Sequence, residues 1–268
     1  MDNKKYIVKK SNEIIQKSRF NLSVQEQRAI AYICALITTN ADGTYRTEYT
    51  FNITDYARIC GLSCDGMRVY NETKDLLKRL RDKSIWIKQD DGKEVLYCWI
   101  NEVEIIAHET ITIELSKKMI PYLFNLKEKF TTYGLINILK MKSGYSIRLY
   151  EILKSYEFLE QKKKAFAIDE LKYLLDISDK KTYESYRDLR RRIIEPAIAE
   201  INNLTDIKVQ FAITQKIGKK VTELTFYYIT KSDETKKSKS KPKSNKFNDF
   251  DNKQNYNFDD LESKLLSN

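Results

Sequence analysis

The sequence has little histidine and cysteine, and it has no long apolar segment. His108 is the single histidine in 268 residues. The cysteines Cys34, Cys60, Cys64 and Cys98 form no CxxC pair, so no zinc site and no other cofactor are expected. The longest apolar run, AIAYICALI at 29–37, is far shorter than the roughly 20 residues that a membrane span needs. Residues 1–10 contain no apolar targeting segment, so we expect a cytoplasmic protein with reduced cysteines.

The same scarcity argues against catalysis. One histidine cannot supply the His-x-His metal cluster of a DNA-nicking enzyme, and no Ser-His-Asp or Cys-His arrangement is convincing. The segment GLSCDGMR at 61–68 has two glycines at P-loop spacing, but Met67 and Arg68 stand where Lys and Ser or Thr belong. None of the 18 tyrosines is marked as a nucleophile by its surroundings. We therefore expect a protein that is not an enzyme.

Charge and length indicate the kind of partner and the number of domains. The formal net charge is +10 and the isoelectric point is about 9.1, which favours a polyanionic partner such as nucleic acid. Hydrophobic residues make up 41% of the chain, which is enough for a sizeable core. A chain of this length usually folds as two domains.

One pattern occurs twice, at 51–100 and at 166–229. Each copy has a short strand, an N-cap residue (Thr54 or Asp169), a short helix, a longer amphipathic helix and a hairpin around a glycine (Gly92 or Gly218). Helix, turn, helix and hairpin is the winged-helix arrangement. The sequence thus predicts an α+β protein with two tandem winged-helix domains related by internal duplication. Helix pairs and hairpins that serve packing alone are the alternative.

The longer helix of the second copy has two distinct faces. At 100° per residue, the apolar face holds Tyr186, Leu189, Ile193, Ala197 and Ile201. The opposite face holds Glu184, Ser185, Arg187, Asp188, Arg191 and Arg192, and Arg190 lies at the edge. An arginine fork can bind guanine O6 and N7, and a carboxylate can accept from cytosine N4, so this mixed face is suited to reading base pairs. A solvated face with intrahelical pairs such as Arg191 with Glu195 is the alternative.

Pro196 lies inside this helical pattern. A proline there removes one backbone hydrogen bond and crowds the carbonyl of Arg192. We therefore expect a kink between the arginine-bearing half and the packed half of the helix.

The corresponding helix of the first copy suits backbone contacts better. Its apolar face holds Val69, Thr73, Leu76, Leu77 and Leu80, and its outer face holds Arg68, Asn71, Asp75, Lys78 and Arg79. Fewer arginines and more lysine favour phosphate contacts over base reading. The hairpins add Lys88 and Lys93 in the first copy and Lys216, Lys219 and Lys220 in the second.

Four segments in order, 9–37, 145–156, 186–209 and 218–229, resemble the initiator Rep proteins of iteron-containing plasmids. The resemblance covers about residues 5–230. It implies a plasmid replication initiator that binds origin direct repeats (iterons) in double-stranded DNA, promotes origin opening and controls copy number. It also implies a dimer that represses its own gene at an operator inverted repeat, and recruitment of the host initiator ATPase and replicative helicase. The base-reading role falls on Ser185, Asp188, Arg191 and Arg192.

These patterns divide the chain into three expected parts. Residues 1–109 form the first winged-helix domain, for backbone contacts and dimerisation, and residues 110–230 form the second, for DNA recognition. Residues 231–268 form a basic, flexible tail whose end carries an apolar stripe through Phe258, Leu261 and Leu265, a candidate partner-binding helix. A transcriptional repressor without a replication role is the alternative function, and an origin-nicking enzyme is the third.

Overall fold

The computed structural model describes residues 6–36, 46–62, 66–89, 91–124 and 129–231. The elements of the first half, in chain order, are β1 Ile7–Ser11, α1 Asn12–Lys17, β2 Ser18–Arg19, α2 Val24–Leu36, β3 Glu48–Asn52, α3 Ile53–Cys60, α4 Gly66–Arg81, β4 Ser84–Lys88, β5 Glu94–Cys98, β6 Ile100–Ile106, β7 Thr110–Leu115, α5 Ile120–Phe124, β8 Phe130–Gly134 and α6 Ile136–Leu139. The expected tail from residue 232 onward, and Cys64, lie outside the described residues.

The second half has fewer elements and contains one unusual turn. In chain order they are α7 Gly144–Ser155, β9 Lys163–Ala167, α8 Ile168–Leu174, a 3-10 turn Lys181–Tyr183, α9 Tyr186–Leu189, a π turn Arg190–Ile194, α10 Glu195–Leu204, β10 Ile207–Ile217 and β11 Lys220–Thr230. Strands β10, β11 and β9 form an antiparallel sheet in that order. We call the run α9, π turn and α10 the second long helix.

Both halves show the winged-helix arrangement that the repeated pattern predicts. In the first, α3 and α4 are followed by the β4–β5 hairpin, which pairs Ser84 with Cys98 at its base. In the second, α8 and the second long helix are followed by the β10–β11 hairpin. The predicted fold class, α+β with two tandem winged-helix domains, is confirmed. No helix within the described ranges is both long and apolar enough to span a membrane.

The predicted N-caps were wrong at both short helices. Helix α3 begins at Ile53, because the Asn52 side-chain oxygen accepts a hydrogen bond of 2.8 Å from the Thr54 N–H. Helix α8 begins at Ile168, and Asp169 lies inside its first turn. There its carboxylate interacts favourably with the helix dipole and does not cap the helix.

The strands of the first half continue beyond the expected domain boundary between residues 109 and 110. Strands β6 and β7 pair antiparallel, so that boundary lies inside a hairpin. Further along, β8 pairs with β1, with Ile7 opposite Gly134. The sheets of the first half therefore draw on the chain as far as Gly134.

Helix α7 joins the two halves through buried polar groups. Glu151 accepts a 2.6 Å hydrogen bond from Lys10 of β1 and another from the hydroxyl of Tyr133 of β8. Both charged side chains are almost fully buried. The sequence indicates a single apolar stripe on this helix, whereas all residues from Ser146 to Ser155 are buried. Its charged positions tolerate burial because each has partners.

Arg148 is the second polar anchor of α7. Its guanidinium donates to the carbonyls of Ile15 and Ser18 at 2.8 Å and to that of Leu174 at 3.1 Å. It also lies 4.5 Å from the ring centroid of Phe20. One buried side chain thus fixes α1, β2 and α8 relative to α7.

Candidate nucleic-acid interface

The second long helix buries the face that its sequence predicts. Leu189, Ile193, Ala197 and Ile201 are 0 to 1% exposed, and Tyr186 is partly buried against the same core. On the opposite side, Glu184, Ser185, Arg187, Arg191 and Arg192 are exposed and Asp188 is partly exposed. The structure therefore gathers the predicted base-reading residues on one accessible surface, which we call the mixed face.

Asp188 is the centre of the mixed face. The Ser185 Oγ accepts a 3.1 Å hydrogen bond from the Asp188 N–H, and its hydroxyl donates to Asp188 Oδ2 at 2.8 Å. Arg191 and Arg192 each donate to Asp188 Oδ1 at 3.4 Å. The Ser185 hydrogen bond, and then the Arg192 and Arg191 charges, hold the pKa of the Asp188 carboxyl below its ordinary value. Intrahelical pairing is thus present on this face, and Arg191 pairs with Asp188 rather than with Glu195.

Arg190 is held apart from the other two arginines. Its Nε lies 2.7 Å from Glu195 Oε1, and its guanidinium lies 5.9 Å from the ring centroid of Phe211 on β10. The side chain therefore runs along the protein surface, as its position at the edge of the apolar face predicts. Its head is paired with a carboxylate of the same helix.

A widened helical turn directly precedes Pro196 in the second long helix. The Glu195 N–H donates to the carbonyl of Arg190, five residues earlier, which is the π pattern. Pro196 stands in the first turn of α10, where its missing N–H is tolerated. A π turn covers Arg190–Ile194, and the kink expected at Pro196 stays a prediction.

The β10–β11 hairpin extends the basic surface. Lys216, Lys219 and Lys220 are all exposed, as the sequence predicts. Sequence reasoning missed Ile217, which is 71% exposed beside the turn glycine, Gly218. The available signal was an aliphatic residue at a hairpin tip, directly before the turn glycine. The tip can offer both cations and an apolar contact to a ligand.

The first half presents a smaller basic surface, made of Arg68, Asn71, Lys78 and Arg79 on α4 and of Lys88 and Lys93 on the β4–β5 hairpin. All six are exposed, and the buried side of α4 is the predicted one. Three of the cations have acidic neighbours: Arg68 with Glu72 at 2.8 Å, Arg79 with Glu26 at 3.7 Å, and Lys93 with Asp91 at 2.7 Å. Phosphate contacts by these three therefore compete with pairs inside the protein.

The described part of the chain contains no cluster of three or more His, Cys, Asp or Glu side chains that could hold a metal ion. Two winged-helix domains, each with an exposed helix face that carries arginines and with a lysine-bearing hairpin, define the chain as a tandem winged-helix protein of the DNA-binding class.

Comparison with known proteins assigns the chain to a family. The family model for "Initiator Replication protein, WH1" matches residues 7–154, and that for "Initiator Rep protein, WH2" matches residues 167–228. The chain belongs to the initiator replication protein family and is a DNA replication initiator. The family resemblance seen in the sequence is confirmed. This family is a DNA-binding family and not a known family of enzymes.

Individual relatives agree with this assignment. A "Replication initiation protein" of Escherichia coli is 27% identical over 230 residues, which cover 82% of this chain and 68% of that protein. A "PI protein" of Escherichia coli is 30% identical over 152 residues, half of each chain. A solved structure of the Pi initiator protein in complex with iteron DNA matches with a TM-score of 0.67 and 23% identity, covering 85% of this chain and 98% of that one.

Proposed function

We propose that the chain initiates plasmid replication by binding iterons in double-stranded origin DNA, with the mixed face in the major groove. The observation that carries the proposal is the exposure of Ser185, Asp188, Arg191 and Arg192 together on one helix whose other side is locked into the core. The structural relative that was solved with iteron DNA supports the same ligand.

Base reading requires the arginines to exchange partners. Arg191 and Arg192 hold Asp188 at 3.4 Å, long for a charge-assisted hydrogen bond, and all three side chains have access to solvent. Pairs of this kind are weak. A bidentate contact with guanine adds about 1–3 kcal/mol of discrimination between bases. DNA therefore offers the arginines a better partner, and Asp188 becomes available to a cytosine N4.

The remaining basic residues have a positioning role in this proposal. Phosphate contacts come from Arg187 and Arg190 on the helix and from Lys216, Lys219 and Lys220 on its hairpin. The first half contributes Arg68, Asn71, Lys78, Arg79, Lys88 and Lys93. Phosphate contacts fix the orientation of the protein on the duplex and carry little sequence information.

The proposal includes further properties that the family resemblance implies. The first winged-helix domain forms a homodimer that represses the chain's own gene at an inverted repeat, and the monomer opens the origin. The host initiator ATPase and the replicative helicase are the partners. The protein acts in the cytoplasm without catalysis and without a cofactor.

A pair of alanine variants tests the assigned roles. Arg191→Ala should relax the preference for the cognate repeat over random duplex, because it removes a base contact. Lys219→Ala should weaken binding to both DNAs alike and flatten the salt dependence, because it removes a phosphate contact. Titration of each variant with both duplexes at several salt concentrations separates the effects. Equal losses on cognate and random DNA for both variants would contradict the assignment.

Replication itself is tested by supplying the gene in trans to a plasmid that carries only the origin. A repressor without a replication role gives operator binding but no replication of that plasmid. Replication that depends on the supplied gene supports initiation, and its absence despite intact operator binding would reject it.

A further inference from the structure

The π turn at Arg190–Ile194 lies between the two halves of the second long helix. In a regular α-helix the N–H of residue 196 would bond to the carbonyl of Arg192. Pro196 has no N–H, and its ring crowds that carbonyl. A wider turn relieves this crowding. In that turn the Glu195 N–H bonds to the carbonyl of Arg190 and not, as in a regular α-helix, to that of Arg191. The proline is thus one physical cause of the turn.

The spacing of the apolar residues is a second cause. Leu189, Ile193, Ala197 and Ile201 follow one another at intervals of four, and all are 0 to 1% exposed. At 3.6 residues per turn, each step of four overshoots a full turn by about 40°, so three steps drift by about 120°. A drift of this size spreads the stripe over the full width of an ordinary apolar helix face. The π turn has more residues per turn and takes up part of the drift.

All three arginines lie in the π turn. Arg190 opens the turn and lies against Phe211 and Glu195. Arg191 and Arg192 lie within the turn and point to Asp188 of the preceding α9. Their direction therefore depends on the π geometry, whereas that of Ser185 and Asp188 does not.

We propose that Pro196 is a positioning residue: by enforcing the π turn it sets the angle of Arg191 and Arg192 against Ser185 and Asp188, and so determines which DNA sequence the helix prefers. The inference rests on the proposed function and deepens it. Pro196 is itself exposed and acts through the arginines. π turns within α-helices are frequent at functional sites.

The test replaces Pro196 by alanine, which supplies the missing N–H and removes no buried contact. Asn203→Ala is the matched control, because Asn203 is also exposed on α10. Preferred sites are selected from a random duplex library with the wild type and each variant, and affinity is then measured for the wild-type site and for random duplex. For Pro196→Ala we expect a changed preferred site and about a tenfold lower ratio of the two affinities, with random-duplex affinity within about twofold. Asn203→Ala should leave both quantities unchanged.

Two outcomes would overturn the proposal. The first is a wild-type site and affinity ratio retained by Pro196→Ala. The second is a parallel loss on both DNAs in a variant whose thermal unfolding matches the wild type. Pro196→Gln, which also restores the N–H with a good helix former, repeats the test if the alanine variant is unstable. If the proposed function itself is wrong, the result is different: either the wild type selects no preferred site, or Arg191→Ala keeps the wild-type ratio of site affinity to random-duplex affinity.

Discussion

Replacing Lys10 by methionine should destabilise the folded chain strongly, because it leaves the Glu151 carboxylate buried without its cation. The Lys10 Nζ and Glu151 Oε1 atoms lie 2.6 Å apart, and the two side chains are 8% and 3% exposed. Methionine fills a similar volume but offers no donor. Removing one partner of a buried ion pair costs about 3–5 kcal/mol. Since native proteins are stable by roughly 5–15 kcal/mol, the loss is a large part of the total.

The size of the effect depends on pH. Burial raises the pKa of the Glu151 carboxyl, but the Lys10 ammonium, the Tyr133 hydroxyl and the Arg148 charge lower it by more, so the pKa lies below its ordinary value. A lowered folded-state pKa adds stability above the unfolded pKa of about 4.3, and that stability is lost as the pH falls through the folded pKa. In the variant, burial raises the pKa without Lys10 to oppose it. The variant's carboxyl therefore takes up its proton at a higher pH, and its deficit shrinks on acidification.

Urea denaturation followed by far-ultraviolet circular dichroism measures this deficit at pH 7 and pH 5. Lys17→Met is the matched control, because Lys17 forms a half-exposed helical pair with Glu13 at 3.8 Å, and pairs of that kind are worth about 0.5 kcal/mol or less. The double variant Lys10→Met with Glu151→Leu should regain part of the loss, because the unpaired carboxylate is gone while Arg148 keeps its three carbonyl partners. A deficit below about 1 kcal/mol at pH 7, or one that is equal at both pH values, would refute the reasoning.

Three further substitutions probe other contacts of the same fold. Gly144→Ala should lower the free energy of unfolding by about 1–3 kcal/mol, because its Cβ would lie 3.2 Å from the Leu22 carbonyl and 2.8 Å from Gln27 Nε2, which is held by hydrogen bonds to the carbonyls of Leu22 and Gly144. Gly134→Ala, with ordinary contact only, should change it by about 0.5 kcal/mol or less in the same urea titration. Ile217→Ser should leave thermal unfolding unchanged and weaken duplex binding about tenfold, as expected if this exposed side chain is buried against DNA; equal binding would remove Ile217 from the interface. Asp188→Asn should raise affinity for random duplex several-fold and lower discrimination between sites, because it removes a negative charge and frees two arginines; an unchanged ratio of site to random affinity would show that the carboxylate has no part in reading.

The faces of the long helices could be predicted from the sequence because each has one simple environment. On α4, the five residues predicted to be buried, from Val69 to Leu80, are the five that are buried. On the second long helix, the predicted apolar face packs into the core and the arginines remain outside. A helix between a core and solvent keeps its hydrophobic period, and periodicity is the strongest local signal in a sequence.

Helix α7 could not be predicted in the same way, because its polar residues are satisfied by distant parts of the chain. Lys10 and Glu151 are separated by 141 positions, and the carbonyls that receive Arg148 belong to α1, β2 and α8. A sequence pattern treats charged residues as exposed. Here burial follows from hydrogen-bond partners that only the folded topology brings together. The expected boundary between residues 109 and 110 lies inside the β6–β7 hairpin, and strand pairing likewise depends on the folded topology; the division into domains stays a prediction.

The mixed face is nearly neutral, so we expect it to contribute to sequence discrimination more than to general affinity for DNA. Between residues 184 and 195, four arginines stand against three carboxylates, so this helix carries little net charge although the whole chain carries +10. Attraction to any duplex, and its dependence on salt, must then come mainly from the lysines of the hairpin and from the rest of the surface. The helix gains only where the bases offer Arg191 and Arg192 better partners than Asp188. A face that is nearly neutral and internally paired thus penalises wrong sequences more than a purely basic face would, because each wrong base leaves an arginine with its partner inside the protein.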